Sequence, residues 1–340
     1  MAGITDVASK AGVSVSTVSH VLNKTRYVAP KTKAKVEAAV EALGYVPSTL
    51  ARALKTNRTH TLGMLVSNST NPFFADIVRG VEEGCFEFGY HLILCNSDDN
   101  AERQRTYLRT LAMRRVDGLI VMTTHGDPSF DRSLGTQSDL PMVVLDADEM
   151  PNVCVLGDNS VLGGRLATEF LISRGFRRIA IISGPSEHPR ARDRRNGTEQ
   201  ALQEAGLTLP AHWIMQGDLT ASGGHRAMSD FLDACPESDW PDAVFAFNDL
   251  MAIGAIRSLQ ERGINVPGNI SVVGYDDIEL ASYMTPSLTT LRQPGFEFGF
   301  QSAKLLIDHL DKQQKLPSKF VRNPQLIVRE SVGKKPAETS

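Results

Sequence analysis

The sequence predicts a fold in two parts: a small all-α helix-turn-helix head followed by an α/β, doubly wound body of two subdomains. Three observations carry this expectation. Three amphipathic helical stretches crowd into the first 46 residues, the first two separated by Gly12-Val13-Ser14. From Thr61 onward, short apolar runs alternate with helical stretches in two successive series, the pattern of parallel sheets covered by helices on both faces. Charge is also uneven: residues 1–60 hold nine Lys or Arg and three acids, a +6 segment joined to a −9 remainder in a chain of net charge −3. With 340 residues, 41% hydrophobic and 22% charged, the chain has a globular composition and room for two or three folded units.

Composition also sets aside several classes. No apolar run approaches the ~20 residues that span a bilayer, and the start, Met1-Ala2-Gly3-Ile4-Thr5-Asp6, lacks a secretory signal, so a cytoplasmic protein without a membrane partner is expected. Cys85, Cys95, Cys154 and Cys235 lie far apart and read as core residues. A basic segment of this size suits a polyanion such as DNA, although charge alone fits a basic surface without a partner equally well.

In the head, Thr5 and Asp6 suit the start of a helix over 5–11, with Thr5 as cap and an acid in the first turn. Gly12 permits a tight turn, and Ser14 caps a second helix over 15–23. Helical spacing puts Val15, Val18, Val21 and Leu22 on one side and Ser16, Ser19, His20 and Asn23 opposite. That second face is short, polar and uncharged, the chemistry of a helix that reads base edges while phosphates are held elsewhere. A third helix over 31–43 closes the bundle with Val36, Ala39, Val40 and Leu43. Two short helices around a glycine also describe an ordinary αα-hairpin. The next segment, 47–55, favours the first reading. Ser48 or Thr49 caps only two turns, too few to stand alone in water, and Leu50 and Leu54 share a face flanked by Arg52 and Lys55. Two such helices paired in a dimer suit a minor groove, with Leu54 wedged between base steps; the alternative is a linker whose leucines pack on the body.

These residues resemble the lac repressor family of bacterial transcription regulators, through Ile4-Thr5-Asp6-Val7-Ala8, Ala11-Gly12-Val13-Ser14, Thr17-Val18-Ser19-His20-Val21-Leu22-Asn23 and the hinge from Pro47-Ser48 to Leu54. The resemblance implies DNA binding, with Val15, Ser16 and His20 at base-reading positions and Thr5, Ser14, Thr17 and Asn23 at backbone-contacting ones. It places Leu54 at the intercalating position, with Lys55 among the DNA-contacting residues.

In the body, strands are expected at 62–66, 91–95, 118–122 and 142–145, then at 179–182, 243–247 and 271–274, with a further run at 288–292. Helices are expected at 73–88, 102–114, 161–174, 196–205, 223–232 and 251–262. Ligands in such sheets bind beyond the carboxyl ends of strands. There stand Asn71-Pro72-Phe73-Phe74, Asp146, Asn248-Asp249, Asp276-Asp277 and Gln293. Each alone more often caps a helix. Together they suit a polyhydroxyl ligand, with aromatic faces for C–H surface and carboxylates and amides for hydroxyls.

The body resembles periplasmic sugar-binding proteins and the regulatory domains of the same family. Likeness to ribose operon repressors within it rests on Val81-Glu82 to Tyr90, Leu92-Ile93-Leu94-Cys95-Asn96, Asp158-Asn159-Ser160-Val161-Leu162-Gly163-Gly164 and above all the run from Tyr275-Asp276-Asp277 to Thr285-Pro286. It implies a sugar ring between Phe73 and Phe74, and hydroxyls held by Asn71, Asp146, Arg194, Asn248, Asp276 and Gln293, with Arg192 the alternative to Arg194. Two positions depart from ribose-binding proteins: Ala147 stands where they have an arginine, and Leu219 where they have an aromatic. Purine repressors usually carry a tryptophan at the position of Ala147, so a nucleobase is the second choice of effector.

The resemblance implies a homodimeric repressor released from a pseudo-palindromic operator by D-ribose, without cofactor or metal; the alternative is the same architecture responding to a purine, another sugar or a phosphosugar. A sugar receptor lacking DNA binding is disfavoured by the head. An enzyme is disfavoured because no G-x-S-x-G, P-loop or H-E-x-x-H motif occurs. The domains expected are a DNA-binding unit at 1–46, hinge and linker at 47–60, an effector-binding and dimerisation body at 61–332, and a disordered tail at 333–340. That tail carries no leucine heptad, which favours a dimer over a tetramer.

Overall fold

A computed structural model describes residues 2–23, 26–46, 58–122, 140–151 and 153–335. The expected hinge helix, with Leu54 and Lys55, lies outside the described residues, as do residues 336–340. The chain divides into two compact units, Met1–Thr59 and His60–Ser340.

The first unit is a three-helix bundle, α1 (Ile4–Ala11), α2 (Val15–Asn23) and α3 (Pro30–Leu43). Val7, Ala8 and Ala11 of α1 bury against Val18 and Val21 of α2 and Val36 and Ala39 of α3. Gly12 turns the chain at φ +64°, a conformation a β-carbon disfavours. Ser14 caps α2 as expected, its Oγ accepting the Thr17 N–H at 3.2 Å. Thr5 does not cap α1. The helix begins earlier, after Gly3, whose N–H donates to the Asp6 carboxylate at 2.7 Å, so Thr5 lies inside the first turn. Val15, grouped by periodicity with the apolar side, is 41% exposed.

The second unit holds two six-stranded sheets. The first has the order β11-β5-β4-β3-β1-β2, from β1 (Thr61–Val66), β2 (His91–Asn96), β3 (Gly118–Met122), β4 (Met142–Leu145), β5 (Cys154–Asp158) and β11 (Lys319–Arg322). The second has the order β12-β10-β9-β8-β6-β7, from β6 (Ile179–Ser183), β7 (Ile214–Gln216), β8 (Ala243–Ala246), β9 (Ser271–Asp276), β10 (Thr289–Arg292) and β12 (Gln325–Ile327). All pairings are parallel except β10 with β12. The connecting helices are α4 (Pro72–Glu87), α5 (Ala101–Met113), α6 (Ser160–Ser173), α7 (Pro189–Glu204), α8 (Ala221–Ala234), α9 (Asp249–Glu261), the short α10 (Leu280–Tyr283) and α11 (Gly295–Lys312). Because α11 packs on α4 and β11 joins the first sheet, the chain crosses between subdomains three times, near 159, 294 and 324.

The buried central strands match the expected apolar runs, whereas β5, β7, β11, β12, α10 and α11 were not foreseen. β7 and β12 have three residues each, and in β11 only Phe320 is half-buried while Lys319, Val321 and Arg322 are exposed. α7 begins at Pro189, seven residues before the expected start, because His188 caps it through Nδ1, which accepts the Arg190 N–H at 3.2 Å. The expected disordered tail is also corrected at its start. Gly333 N–H donates to Ser271 Oγ, Lys335 N–H donates to the Arg174 carbonyl, and Lys335 Nζ reaches Asp242 at 2.6 Å.

Candidate ligand cleft and nucleic-acid interface

On the head, Thr5, Ser14, Val15, Ser16 and Asn23 are exposed, while Thr17 and His20 are half-buried. Ser14 Oγ lies 2.9 Å from both Ser16 Oγ and Thr17 Oγ1. Asn23 Nδ2 donates to the Ser19 carbonyl at 3.0 Å and to Ser19 Oγ at 3.2 Å. The hydroxyls satisfy one another and can rotate toward other partners. Lys10, Lys31, Lys33 and Lys35 are all exposed on the same unit, so the bundle carries an uncharged polar helix among surface cations.

In the body, all eight expected effector residues line one cleft between the subdomains: Asn71, Phe73, Phe74, Asp146, Arg194, Asn248, Asp276 and Gln293. The strand-end rule explains why. Asn71 and the phenylalanines follow β1, Asp146 follows β4, Asn248 follows β8, Asp276 ends β9 and Gln293 follows β10. Arg194 comes from α7. Of the two arginines left open, Arg194 faces the cleft and is buried, while Arg192 is 52% exposed and donates to both Asp148 oxygens at 3.0 Å.

The details refine the expected contacts. The Phe73 and Phe74 ring centroids are 5.7 Å apart at 53°, too close and too tilted to hold a sugar ring, which needs roughly 3.5–4 Å on each side. They form one wall, and the second subdomain adds Leu219 and Phe247 to the cleft lining. Both asparagines cap helices. Asn71 Oδ1 accepts the Phe73 N–H at 3.0 Å, and Asn248 Oδ1 accepts the Met251 N–H at 2.9 Å while its Nδ2 donates to the Leu219 carbonyl at 2.9 Å. Arg194 donates to the Phe247 carbonyl and stacks 3.7 Å above the Tyr275 ring, leaving Nε without a protein partner. Gln293 Nε2 donates to Asp276 Oδ1 at 2.7 Å, leaving Oε1 without a protein partner.

Both cleft carboxylates sit on left-handed backbone, Asp146 at φ +57° and Asp276 at φ +116°. Burial pushes the Asp146 pKa up to about 6, with Asp158 adding to the rise and Arg190 and Arg194 opposing it. Burial also holds Asp276 well above the carboxylate range; Arg194 opposes this and Asp249 reinforces it. The N-termini of α4, α7 and α9 open at Asn71, His188 and Asn248, all on the cleft wall, and their positive ends favour electronegative ligand atoms.

Sequence reasoning missed His188 and Arg190. A side-chain cap followed by proline, His188-Pro189, was the available signal for a helix start. Arg190 Nη2 donates to the Ala147 carbonyl at 3.1 Å, Nη1 pairs with Asp193 at 3.1 Å, and Nε is unpartnered. Its guanidinium thus stands beside the residue where ribose-binding proteins carry an arginine. Among the described residues no group of three or more His, Cys, Asp or Glu is placed to hold a metal, and no helix is long and apolar enough to cross a membrane.

Residues 3–48 match the family of bacterial regulatory proteins, lacI family, and residues 59–324 match periplasmic binding proteins and sugar binding domain of LacI family. The chain belongs to the LacI family. It is 45% identical over 333 residues to the HTH-type transcriptional repressor PurR of Photobacterium profundum, covering 98% of this chain and 99% of that one. It is 44% identical over 332 residues to the ribose operon repressor of Escherichia coli (strain K12), covering 97% and 100%. The lac repressor dimer bound to operator and the anti-inducer ONPF superposes with a TM-score of 0.88 at 29% identity, covering 97% and 98%. This LacI-family protein is therefore a ligand-responsive, DNA-binding repressor, and identities of 45% and 44% do not by themselves choose its ligand.

Proposed function

We propose that this LacI-family repressor acts as a homodimer on a pseudo-palindromic operator and is released from it by D-ribose bound in the cleft. The observation that carries the reading is the convergence of Asp146, Arg194, Asp276 and Gln293 beside the Phe73–Phe74 wall, with Arg194 Nε and Gln293 Oε1 lacking protein partners. A pentose offers several hydroxyls, each donor and acceptor, to that mixture of carboxylates, guanidinium and amide. Ala147 supplies no flat surface for a nucleobase, and the ribose operon repressor is among the relatives of nearly full length. On the head, Thr5, Ser14, Val15, Ser16, Thr17, His20 and Asn23 meet DNA, with Leu54 and Lys55 acting from the hinge segment. Two-fold symmetry of the dimer implies the operator's symmetry.

The test is calorimetric titration of the protein with D-ribose, beside hypoxanthine and ribose 5-phosphate. Saturable ribose binding is expected, together with its loss in Asp276→Ala and operator retention that no longer responds to ribose. Binding of hypoxanthine or ribose 5-phosphate in place of ribose would reassign the effector while leaving the repressor architecture in place.

A further inference from the structure

Asp249 stands next to Asn248 yet is not on the cleft wall. Its side chain is fully buried. One oxygen accepts from Thr290 Oγ1 on β10 at 2.5 Å, and the other accepts the Ile278 N–H, just beyond β9, at 2.9 Å. On β9 itself, a β-carbon at Gly274 would collide with Asp249 Oδ1. A single carboxylate therefore links the start of α9, directly after β8, to β10, two strands away, and to the turn that follows the intervening β9.

That turn is strained. Asp276 has φ +116° and Asp277 φ +60°, and non-glycine residues in such regions cost on the order of 1–3 kcal/mol each unless their surroundings hold them. Asp277 is held by Arg292 and Arg329, each at 2.6 Å, and Asp276 by Gln293. These contacts fix side chains; on the main chain, the Gln293 N–H donates to the Asp276 carbonyl at 3.2 Å, and Asp249 takes the first amide after the strained pair. Burying a carboxylate is costly, and burial pushes Asp249 up to about 7 against the hydrogen bonds from Thr290 and Ile278. A costly buried group off the cleft wall calls for a structural task, and the task available here is the geometry of the turn.

We propose that Asp249 is a positioning residue for the effector cleft: by gripping Ile278 N–H and Thr290 Oγ1 in the space left by Gly274, it locks the turn that presents Asp276 to the ligand. This rests on the reading that Asp276 binds the effector, and the test separates the two.

The full-length chain and its Asp249→Ala, Asp249→Asn, Gly274→Ala and Asp276→Ala variants are titrated with D-ribose and with hypoxanthine. Hydrogen–deuterium exchange of the 275–280 segment is measured in each ligand-free protein. Asp249→Ala is expected to lose about tenfold or more in affinity for whichever probe binds the parent chain. Asp249→Asn, which keeps an acceptor for Ile278 N–H, should stay within about threefold. Gly274→Ala should behave like Asp249→Ala, since a β-carbon there strikes Oδ1 and displaces the carboxylate whose other oxygen holds Ile278 N–H. Exchange at 275–280 should quicken in the two alanine variants at 249 and 274, and not in Asp249→Asn.

Parent-like affinity and exchange in Asp249→Ala overturn the proposal, as does faster exchange spread over the whole second subdomain. Parent-like affinity in Asp276→Ala overturns the cleft reading instead. In that case, or if neither probe binds, exchange at 275–280 alone decides whether Asp249 holds the turn. Should Asp249→Ala fail to fold, Gly274→Ala against Asp249→Asn makes the same comparison.

Discussion

Asp146, which lines the cleft and is proposed to meet the effector, carries a cost in the ligand-free protein. Its carboxyl titrates near 6 because burial and Asp158 outweigh Arg190 and Arg194. The folded chain therefore binds this proton more tightly than the unfolded chain, and stability falls as pH rises from about 4 to about 6. Above that window the ionised group destabilises the ligand-free cleft. Asp146→Asn should then raise the melting temperature of the ligand-free protein at pH 7.5, by about 2–6 °C for a gain of roughly 1–2 kcal/mol. The advantage over the parent should shrink toward zero below pH 4, while ribose affinity falls at every pH above 6. Paired thermal melts and titrations at both ends of the window check this; an Asn variant without a gain at pH 7.5 would show that the carboxylate is not strained by its site. Residue identity at strand ends was legible in the sequence because the fold class dictates where ligands meet a doubly wound sheet. Its use was less legible. Asn71 and Asn248 spend hydrogen bonds on capping, Phe73 and Phe74 tilt into a single wall, and Arg190 occupies space beside Ala147. Those facts depend on rotamers and on approach between subdomains, which spacing along the chain does not encode.

Three helix pairs in the body share one packing device. Where α4 meets α11, β-carbons at Gly80 and Gly299 would strike the backbones of Phe296 and Ile77. Where α6 meets α7, Gly164 abuts the Arg194 carbonyl and Gly197 the Val161 carbonyl; where α8 meets α9, Gly224 abuts Met251 and Gly254 abuts Ala221. The glycines are reciprocal, so each pair approaches backbone to backbone. The α6–α7 pair bears on function because Arg194 lies at the contact. Gly197→Ala should force the helices apart, destabilising by about 1–3 kcal/mol and weakening ribose binding by moving Arg194. Gly206→Asn, at an exposed left-handed position with open space around it, should be nearly neutral in both assays because asparagine tolerates that conformation. Equal effects of the two would mean that generic glycine loss, not helix approach, is being measured. The same contacts explain what element reading missed. In α11, Phe296, Phe298 and Phe300 alternate with Glu297 and Gly299 like a strand, and the helical face of Ser302, Ala303, Leu306 and Ile307 emerges only later. In α7 the run of arginines masks the start, since Arg194 is buried by its Tyr275 stack and its Phe247 bond rather than by being apolar.

For the whole molecule, a cleft lined from both subdomains makes ligand binding sensitive to their relative placement, and three chain crossings allow that placement to change without breaking either sheet. Tyr275 on β9 donates to Asp158 at the end of β5, beside the first crossing, while its ring carries Arg194 from the cleft. A ligand that redirects Arg194 therefore acts on a side chain that already spans both sheets. Such coupling is reciprocal: if ribose is the effector as proposed, whatever factor it removes from operator affinity, operator must remove from ribose affinity. Leu54→Ala should separate the two binding events. On the proposed wedging role, losing this side chain should weaken operator binding about tenfold or more, while ribose affinity of the free protein stays at the parent value, because Leu54 is not among the proposed effector residues. Ribose should still lower the variant's remaining operator affinity, since the cleft and its two-subdomain lining are intact. Fluorescence anisotropy on labelled operator, with and without saturating ribose, and calorimetry with and without operator give all four affinities of the cycle for each protein. A factor of one around the parent cycle would show that ribose and operator binding are not coupled. A changed ribose affinity in free Leu54→Ala would show instead that the hinge segment takes part in shaping the cleft, and that the head and body are not the separable parts their charge and composition suggest.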